Sequence, residues 1–242
     1  MIEFVSYASG SSGNLYVVTA GAEHPIKIMI ECGLPMSEIA KLPFRLSDIS
    51  ACLVSHEHKD HSKSARQMAL HGIDLYMTDG TAKAIGLKAS EYHGLEFYCP
   101  VHLENGASII AFPTHHDSAE PSGFMVISPE SEVLVFAIDT YYMDFAFKRV
   151  DIAAVECNHS YEILKKRVAD GELDKSVADR VAHSHMALEN VIGWLDSCDL
   201  WKCREIWLLH MSDDNGDARV FADTVMSKTG IPVHVAERRW LK

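Results

Sequence analysis

Short apolar-rich stretches at the start of the chain, over Glu3–Ala8, Asn14–Thr19 and Lys27–Glu31, read as extended segments separated by turn residues. The small-residue run Ser9-Gly10-Ser11-Ser12-Gly13 separates the first two, which predicts a β-hairpin. Ile49–Ser55 reads as a further strand, and Ser62–His71 takes helical spacing through Ala65, Met68 and Ala69 before Gly72. The middle of the chain is strand-rich, at Asp74–Thr78, Leu95–Tyr98, Ala107–Pro113, Gly123–Ser128, Glu132–Ile138 and Ile152–Glu156, with a short helix at Thr81–Ile85. Helical spacing follows at Ser160–Ala169 and Ala187–Asp196, then a strand at Glu205–Leu209, a helix at Asp217–Thr229 and a last strand at Val233–Glu237. Two blocks of strands with helices interspersed predict an α/β (α+β) fold. Its architecture is a four-layer αββα sandwich: two sheets face to face, covered outside by helices.

With 242 residues, 48% of them apolar and 23% charged, the chain is long enough to bury a full core as one domain over 1–242. No apolar run approaches the roughly 18 residues of a membrane span, and no signal peptide opens the sequence, so it reads as soluble and cytoplasmic. The six cysteines form no Cys-x-x-Cys pair, which points to reduced, packed thiols rather than disulfides or a thiolate zinc site. Acidic residues outnumber basic ones by 34 to 22, and the net charge of −12 disfavours indiscriminate attraction to phosphate backbones. Any nucleic acid must be held locally.

Against that acidic background stand 14 histidines, many of them grouped: His56/His58/His61, His115/His116, His159, His183/His185 and His210. The densest group, Ser55-His56-Glu57-His58-Lys59-Asp60-His61, lies where an apolar strand ends and a helix begins. Residues two apart in extended backbone point the same way, so His56 and His58 can serve one ion. Asp60 and His61, in the turn that follows, face elsewhere and can serve a second. Further ligand types follow apolar strands: His115-His116-Asp117, Asp139 and His210. Imidazole with carboxylate suits zinc, and manganese as the carboxylate share grows.

His56-x-His58-x-Asp60-His61, a later histidine, a strand-end aspartate and a final histidine resemble the signature of the metallo-β-lactamase-fold hydrolases. Within them the chain is similar to the WalJ/YycJ-type branch, known as DNA exonucleases. The resemblance is carried by Ser9 through Asn14, Ser55 through Ser62, Thr114 through Phe124, Glu156-Cys157-Asn158-His159 and Leu209-His210-Met211-Ser212. It implies two divalent ions, Zn²⁺ or Mn²⁺: one held by His56, His58 and His116, the other by Asp60, His61 and His210, with Asp139 bridging. His116 rather than His115 takes the ligand position because it directly precedes the aspartate of the family's His-Asp-x-x-Glu-Pro stretch. His185 resembles the histidine of the family's Gly-His-Leu-Ser segment, which implies contact with the scissile phosphate. The chain departs from the family in three places. Glu31 stands where an Asp is usual, Tyr141 where Asp-Thr-Gly is commoner than Asp139-Thr140-Tyr141, and Cys157 and Ser160 flank Asn158-His159 in place of Ser and Asp.

The chemistry this implies is phosphodiester hydrolysis, with Asp60 orienting the attacking water and accepting its proton. The substrate is then nucleic acid, DNA foremost, with local positive charge from Lys59, Lys63 and Arg66, from Lys165, Lys166 and Arg167, and from Arg238 and Arg239. Tyr141, Tyr142, Phe145 and Phe147 are positioned in sequence either to stack on bases or to pack in the core. A phosphodiesterase for a small cyclic nucleotide or nucleotide-like ester is the alternative that suits the acidic charge. A non-catalytic, metal-stabilised binding protein is the third reading.

Overall fold

The alternation in Ile2–Ala8 (β1) turns Ile2, Phe4 and Ala8 inward in the computed structural model, which describes residues 1–237; Arg238 and Arg239 lie outside the described residues. The strands form two sheets, of six and seven strands, and helices complete the mixed α/β architecture expected from the sequence. The chain divides into two compact units, one built from Met1–Pro113 and Ser118–Leu134, the other from Thr114–Asp117 and Val135–Ala236.

In the first unit β1, β2 (Leu15–Ala20) and β3 (Ile26–Ile30) run antiparallel, and β4 (Ile49–Leu53), β5 (Leu75–Met77) and β6 (His93–Gly94) continue the six-stranded sheet in parallel. Parallel strands require crossovers, which here carry the short helices α1 (Met36–Ile39), α2 (Lys59–Ser62), α3 (Ala65–Leu70) and α4 (Asp79–Ile85). Met68 of α3 and Ala82 of α4 join Val17, Met29, Cys52 and Leu75 in one buried apolar cluster. The helix expected over Ser62–His71 is found as α3 from Ala65, with the separate short α2 ending before it at Ser62; between them the Ser64 hydroxyl donates to Leu34 O at 2.6 Å.

Leu95–Tyr98 is not a strand. Tyr98 takes the left-handed φ of 65° and Pro100 follows, so only Phe97 bridges, to Ala111, and the pairing strand is β7 (Pro100–His102). With β8 (Ser108–Pro113) and β9 (Ser122–Ile127), β7 forms an antiparallel group in the seven-stranded sheet.

After its brief passage at Thr114–Asp117, the chain returns to the second unit within β10 (Val133–Ala137). There β11 (Ile152–Glu156), β12 (Glu205–Leu209) and β13 (Val233–Val235) are parallel; every residue of β11 is buried, as expected for a parallel strand covered on both faces. Four helices intervene: α5 (Tyr161–Ala169), α6 (Lys175–Ser184), α7 (Leu188–Ser197) and α8 (Ala218–Thr229). Side-chain caps start three of them, Ser160 at α5, Asp174 at α6 and Asp217 at α8. The helix α6 is not among those expected from the sequence; of its residues only Ala178 is buried. Cys32, Cys52 and Cys157 are free and buried, with the Cys157 thiol pushed up by burial. Among the described residues no helix is long and apolar enough to cross a membrane.

Candidate metal centre

Two clusters of ligand-type side chains gather at strand ends, one in each unit. Three of the residues involved, Glu31, Asp139 and His210, are non-glycine residues with positive φ, at 65°, 45° and 52°. Each follows a buried strand, and a left-handed turn there swings the side chain off the strand axis. Such conformations cost on the order of 1–3 kcal/mol each and persist where the surroundings over-determine them.

In the first unit the His-x-His-x-Asp-His segment leaves β4 and winds into α2. Its backbone is stitched to neighbouring segments: Asn14 N–H donates to Asp60 O and Cys32 N–H to His61 O, both at 2.8 Å, and the Ser62 hydroxyl donates to Glu57 O at 2.7 Å. The imidazoles are thereby packed ring to ring, His56 and His61 with centroids 4.1 Å apart and His56 and His58 4.7 Å apart. Ser55 Oγ lies 2.9 Å from His56 Nδ1, so Nε2 is the nitrogen that could ligate a metal. His61 is fully buried, with Nε2 3.4 Å from Asp60 Oδ2 and 3.2 Å from Asn14 Nδ2, and Nδ1 3.6 Å from Glu31 Oε1. Asn14 is held in that orientation because its Oδ1 accepts from Gly10 N–H and the Tyr16 hydroxyl. Burial raises the Glu31 carboxyl above its ordinary value, against the opposing pull of His61 and of the Ser55 N–H.

In the second unit Asp139 divides its two oxygens between histidines. Oδ2 lies 3.6 Å from His116 Nε2, while Oδ1 lies 3.5 Å from His210 Nδ1 and 3.7 Å from His185 Nδ1. His116 Nδ1 faces Ser184 O at 3.2 Å, which turns Nε2 toward Asp139. His115 goes elsewhere, with Nε2 2.5 Å from Asp144 Oδ2. The His185 and His210 rings stack 5.3 Å apart at 17°, and Asn158 Nδ2 fixes the His210 backbone by donating to its carbonyl at 2.8 Å.

Glu156 lies in the resembling segment Glu156-Cys157-Asn158-His159 and ends an otherwise apolar strand, but sequence reasoning assigned it no role in the site. Its Oε1 is 2.6 Å from His185 Nδ1 and 3.4 Å from His210 Nδ1, and its Oε2 accepts from Thr140 and Met186 N–H groups. Burial pushes the Glu156 carboxyl up, but the charge and hydrogen bond of His185, with His210, outweigh it and hold the group below its ordinary value. His185 is lowered by burial and raised further by Glu156 and Asp139, so it ends above its ordinary value. One donor atom each from Asp139, Glu156, His185 and His210 lie within 4.8 Å of one another. Imidazole nitrogens interleaved with carboxylate oxygens at that spacing are the donor chemistry of a divalent first-row metal.

The charges proposed for nucleic acid fare unevenly. Arg66 donates to Gly86 O at 2.6 Å and Arg167 to Asn215 Oδ1 at 2.7 Å, so both guanidinium groups brace the fold. Lys59, Lys63, Lys165 and Lys166 are exposed.

No family model matches the sequence. Among curated proteins it is 27% identical over 227 residues to the exodeoxyribonuclease WalJ of Streptococcus pneumoniae, covering 86% of this chain and 81% of that one. It is 25% identical to the exodeoxyribonuclease YycJ of Bacillus anthracis, covering 96% and 92%. Among solved structures, the metallo-β-lactamase-fold protein YhfI of Bacillus subtilis superposes with a TM-score of 0.72 over 99% of this chain and 97% of that one, at 14% identity.

Proposed function

We propose that this chain, a metallo-β-lactamase-fold protein of the WalJ/YycJ type, is a metal-dependent phosphodiester hydrolase that acts as a DNA exonuclease in the cytoplasm, residues 1–242 working as one domain. The observation that carries the reading is Asp139, a buried carboxylate with each oxygen presented to a different histidine, as a bridging ligand requires. The relatives named exodeoxyribonuclease support DNA as substrate.

In this reading His56, His58 and His116 hold one ion, Asp60, His61 and His210 the other, and Asp139 both, with Zn²⁺ or Mn²⁺ as the metals. Bound divalent ions supply Lewis acidity, lowering the pKa of a water toward neutrality and polarising a phosphoryl oxygen. Asp60 orients the attacking water and takes its proton. Glu156 occupies His185 Nδ1, so His185 addresses the phosphate through Nε2. Glu31 and Asn14 fix the His61 ring from either side, and Asn158 fixes the backbone of His210.

Incubation with Mn²⁺ or Zn²⁺ and end-labelled DNA, beside a panel of small phosphodiesters, tests the assignment. Stepwise shortening of DNA is expected. Turnover of a cyclic nucleotide with DNA left intact would transfer the site to the small-molecule alternative, and tight metal binding with no turnover of either would reduce it to a binding protein.

A further inference from the structure

Four aromatic residues follow Asp139, and the structure separates them. Phe147 meets Trp194 of α7 edge-on with centroids 6.2 Å apart, so its ring packs on α7, and the Trp194 indole N–H ties down the backbone by donating to Phe145 O at 2.9 Å. Tyr141 and Tyr142 are exposed, at 36% and 51%.

The Tyr141 backbone is pinned on both sides. Its N–H donates to His115 O at 3.3 Å and its carbonyl accepts from Asn190 Nδ2 at 2.9 Å. Thr140, just before it, donates its N–H to Glu156 and its hydroxyl to Tyr142 O. The phenol ring stands between two imidazoles, 5.3 Å from His115 at 40° and 6.4 Å from His183 at 55°. Both flanking rings are held in turn, His115 by Asp144 and His183 by Asp179 O, the latter at 2.6 Å. A planar aromatic surface fixed in this way loses little freedom when a ligand stacks on it.

Placement gives the surface a purpose. Tyr141 is two residues from Asp139, so their Cα atoms are at most about 7.6 Å apart; His115 adjoins His116, and His183 is two residues from His185. The ring's contacts with His115 and His183, next to and two residues from His116 and His185, put it in the neighbourhood from which it can meet the base of a nucleotide whose phosphate His185 addresses.

We propose that Tyr141, flanked by His115 and His183, is a stacking platform that seats a nucleobase beside the phosphodiester under attack. The inference rests on reading the chain as a nuclease. Every base offers a π-face, so the platform senses that a base is present and not which one it is.

The test compares binding, by fluorescence anisotropy, of a single-stranded oligothymidine and an abasic deoxyribose-phosphate strand of equal length and charge, with cleavage of both followed in parallel in Mn²⁺. Wild type is expected to prefer the base-bearing strand by about 5- to 100-fold. Tyr141→Ala and Tyr141→Leu are expected to lose most of that preference, while Tyr141→Phe and Tyr141→Trp keep it. Leucine preserves bulk without a π-face, so a merely structural role would not separate it from phenylalanine. Equal binding of the two strands by wild type, or an undiminished preference in both Tyr141→Ala and Tyr141→Leu, overturns the platform. Failure of the nuclease reading shows separately, as absence of cleavage of either strand by wild type whatever the binding preference.

Discussion

His185 Nδ1 lies 2.6 Å from Glu156 Oε1, a contact between a residue at the end of α6 and the last residue of a wholly buried strand. Backbone N–H groups of Thr140 and Met186 occupy the other carboxylate oxygen, so Glu156 cannot swing away and the imidazole is locked in one orientation. Glu156→Gln keeps the volume and removes the charge that holds the ring. Turnover is expected to fall about 10- to 100-fold, the usual cost of losing the carboxylate behind a functional histidine, with the circular dichroism spectrum unchanged. Wild-type kcat in the Gln variant would remove Glu156 from the machinery.

Metal dependence gives a sharper test. Asp139→Ala removes the carboxylate shared by His116 and His210, and His58→Ala removes one imidazole of the strand-end pair. Each is expected to abolish turnover while the protein still folds, because neither side chain belongs to the apolar cores. Metal content by mass spectrometry should drop in both variants, and chelator-treated wild type should regain activity on adding Mn²⁺ or Zn²⁺. Full activity in metal-depleted protein would contradict the assignment.

His159 predicts a pH dependence of stability. It is fully buried, edge-on to Tyr161, and burial lowers its pKa to about 4, against an ordinary value of 6.5. Between those values the unfolded chain takes up a proton that the folded chain refuses, so stability is full above about pH 6.5 and is lost as pH falls toward 4. The loss attributable to this residue between pH 7 and pH 5 is about 2 kcal/mol. Urea denaturation at both pH values should show a smaller drop in His159→Leu than in wild type, and identical drops would dismiss the mechanism.

How much of this could be read from the chain depends on the range of the interactions. His56-x-His58-x-Asp60-His61 is local, and the apolar run of β4 that it follows lies in the same stretch of sequence. Strands such as Ile152–Glu156 and Glu205–Leu209 emerge with the bounds expected, since continuous apolar runs specify them. Glu156 stayed hidden because its role is conferred by His185, 29 residues later, and a lone acid on a strand carries no mark of its partner. Glu31 was visible only as a departure. Its buried contact with His61 depends on a left-handed turn that the sequence does not announce with a glycine. Phe147 and Tyr141 both read simply as aromatic residues after Asp139, and only the position of Trp194 assigns Phe147 to packing while Tyr141 stays at the surface.

Gly33 supplies the last prediction, because it marks where two distant segments cross with no room to spare. Its N–H donates to Asn14 O at 3.0 Å, and Asn14 N–H in turn donates to Asp60 O at 2.8 Å. A Cβ at position 33 would fall 1.6 Å from Asp60 O and 2.8 Å from Asn14 N, both backbone atoms that no side-chain rotation can clear. Gly33→Ala must therefore push the Asp60–His61 turn outward, at a cost of at least the roughly 1–3 kcal/mol typical of overpacking. In the proposed assignment the displaced turn carries two ligands of one ion of the pair, so on that reading the variant is expected to hold about one metal fewer than wild type, and to lose turnover with it. Gly193, inside α7 with nothing within 4 Å of an added Cβ, is the control. There alanine should leave metal content alone and raise stability by about 0.5–1 kcal/mol through helix propensity. Metal stoichiometry and urea midpoints measured on the pair decide the matter, and a Gly33→Ala protein with wild-type values for both would show that the crossing does not shape the site.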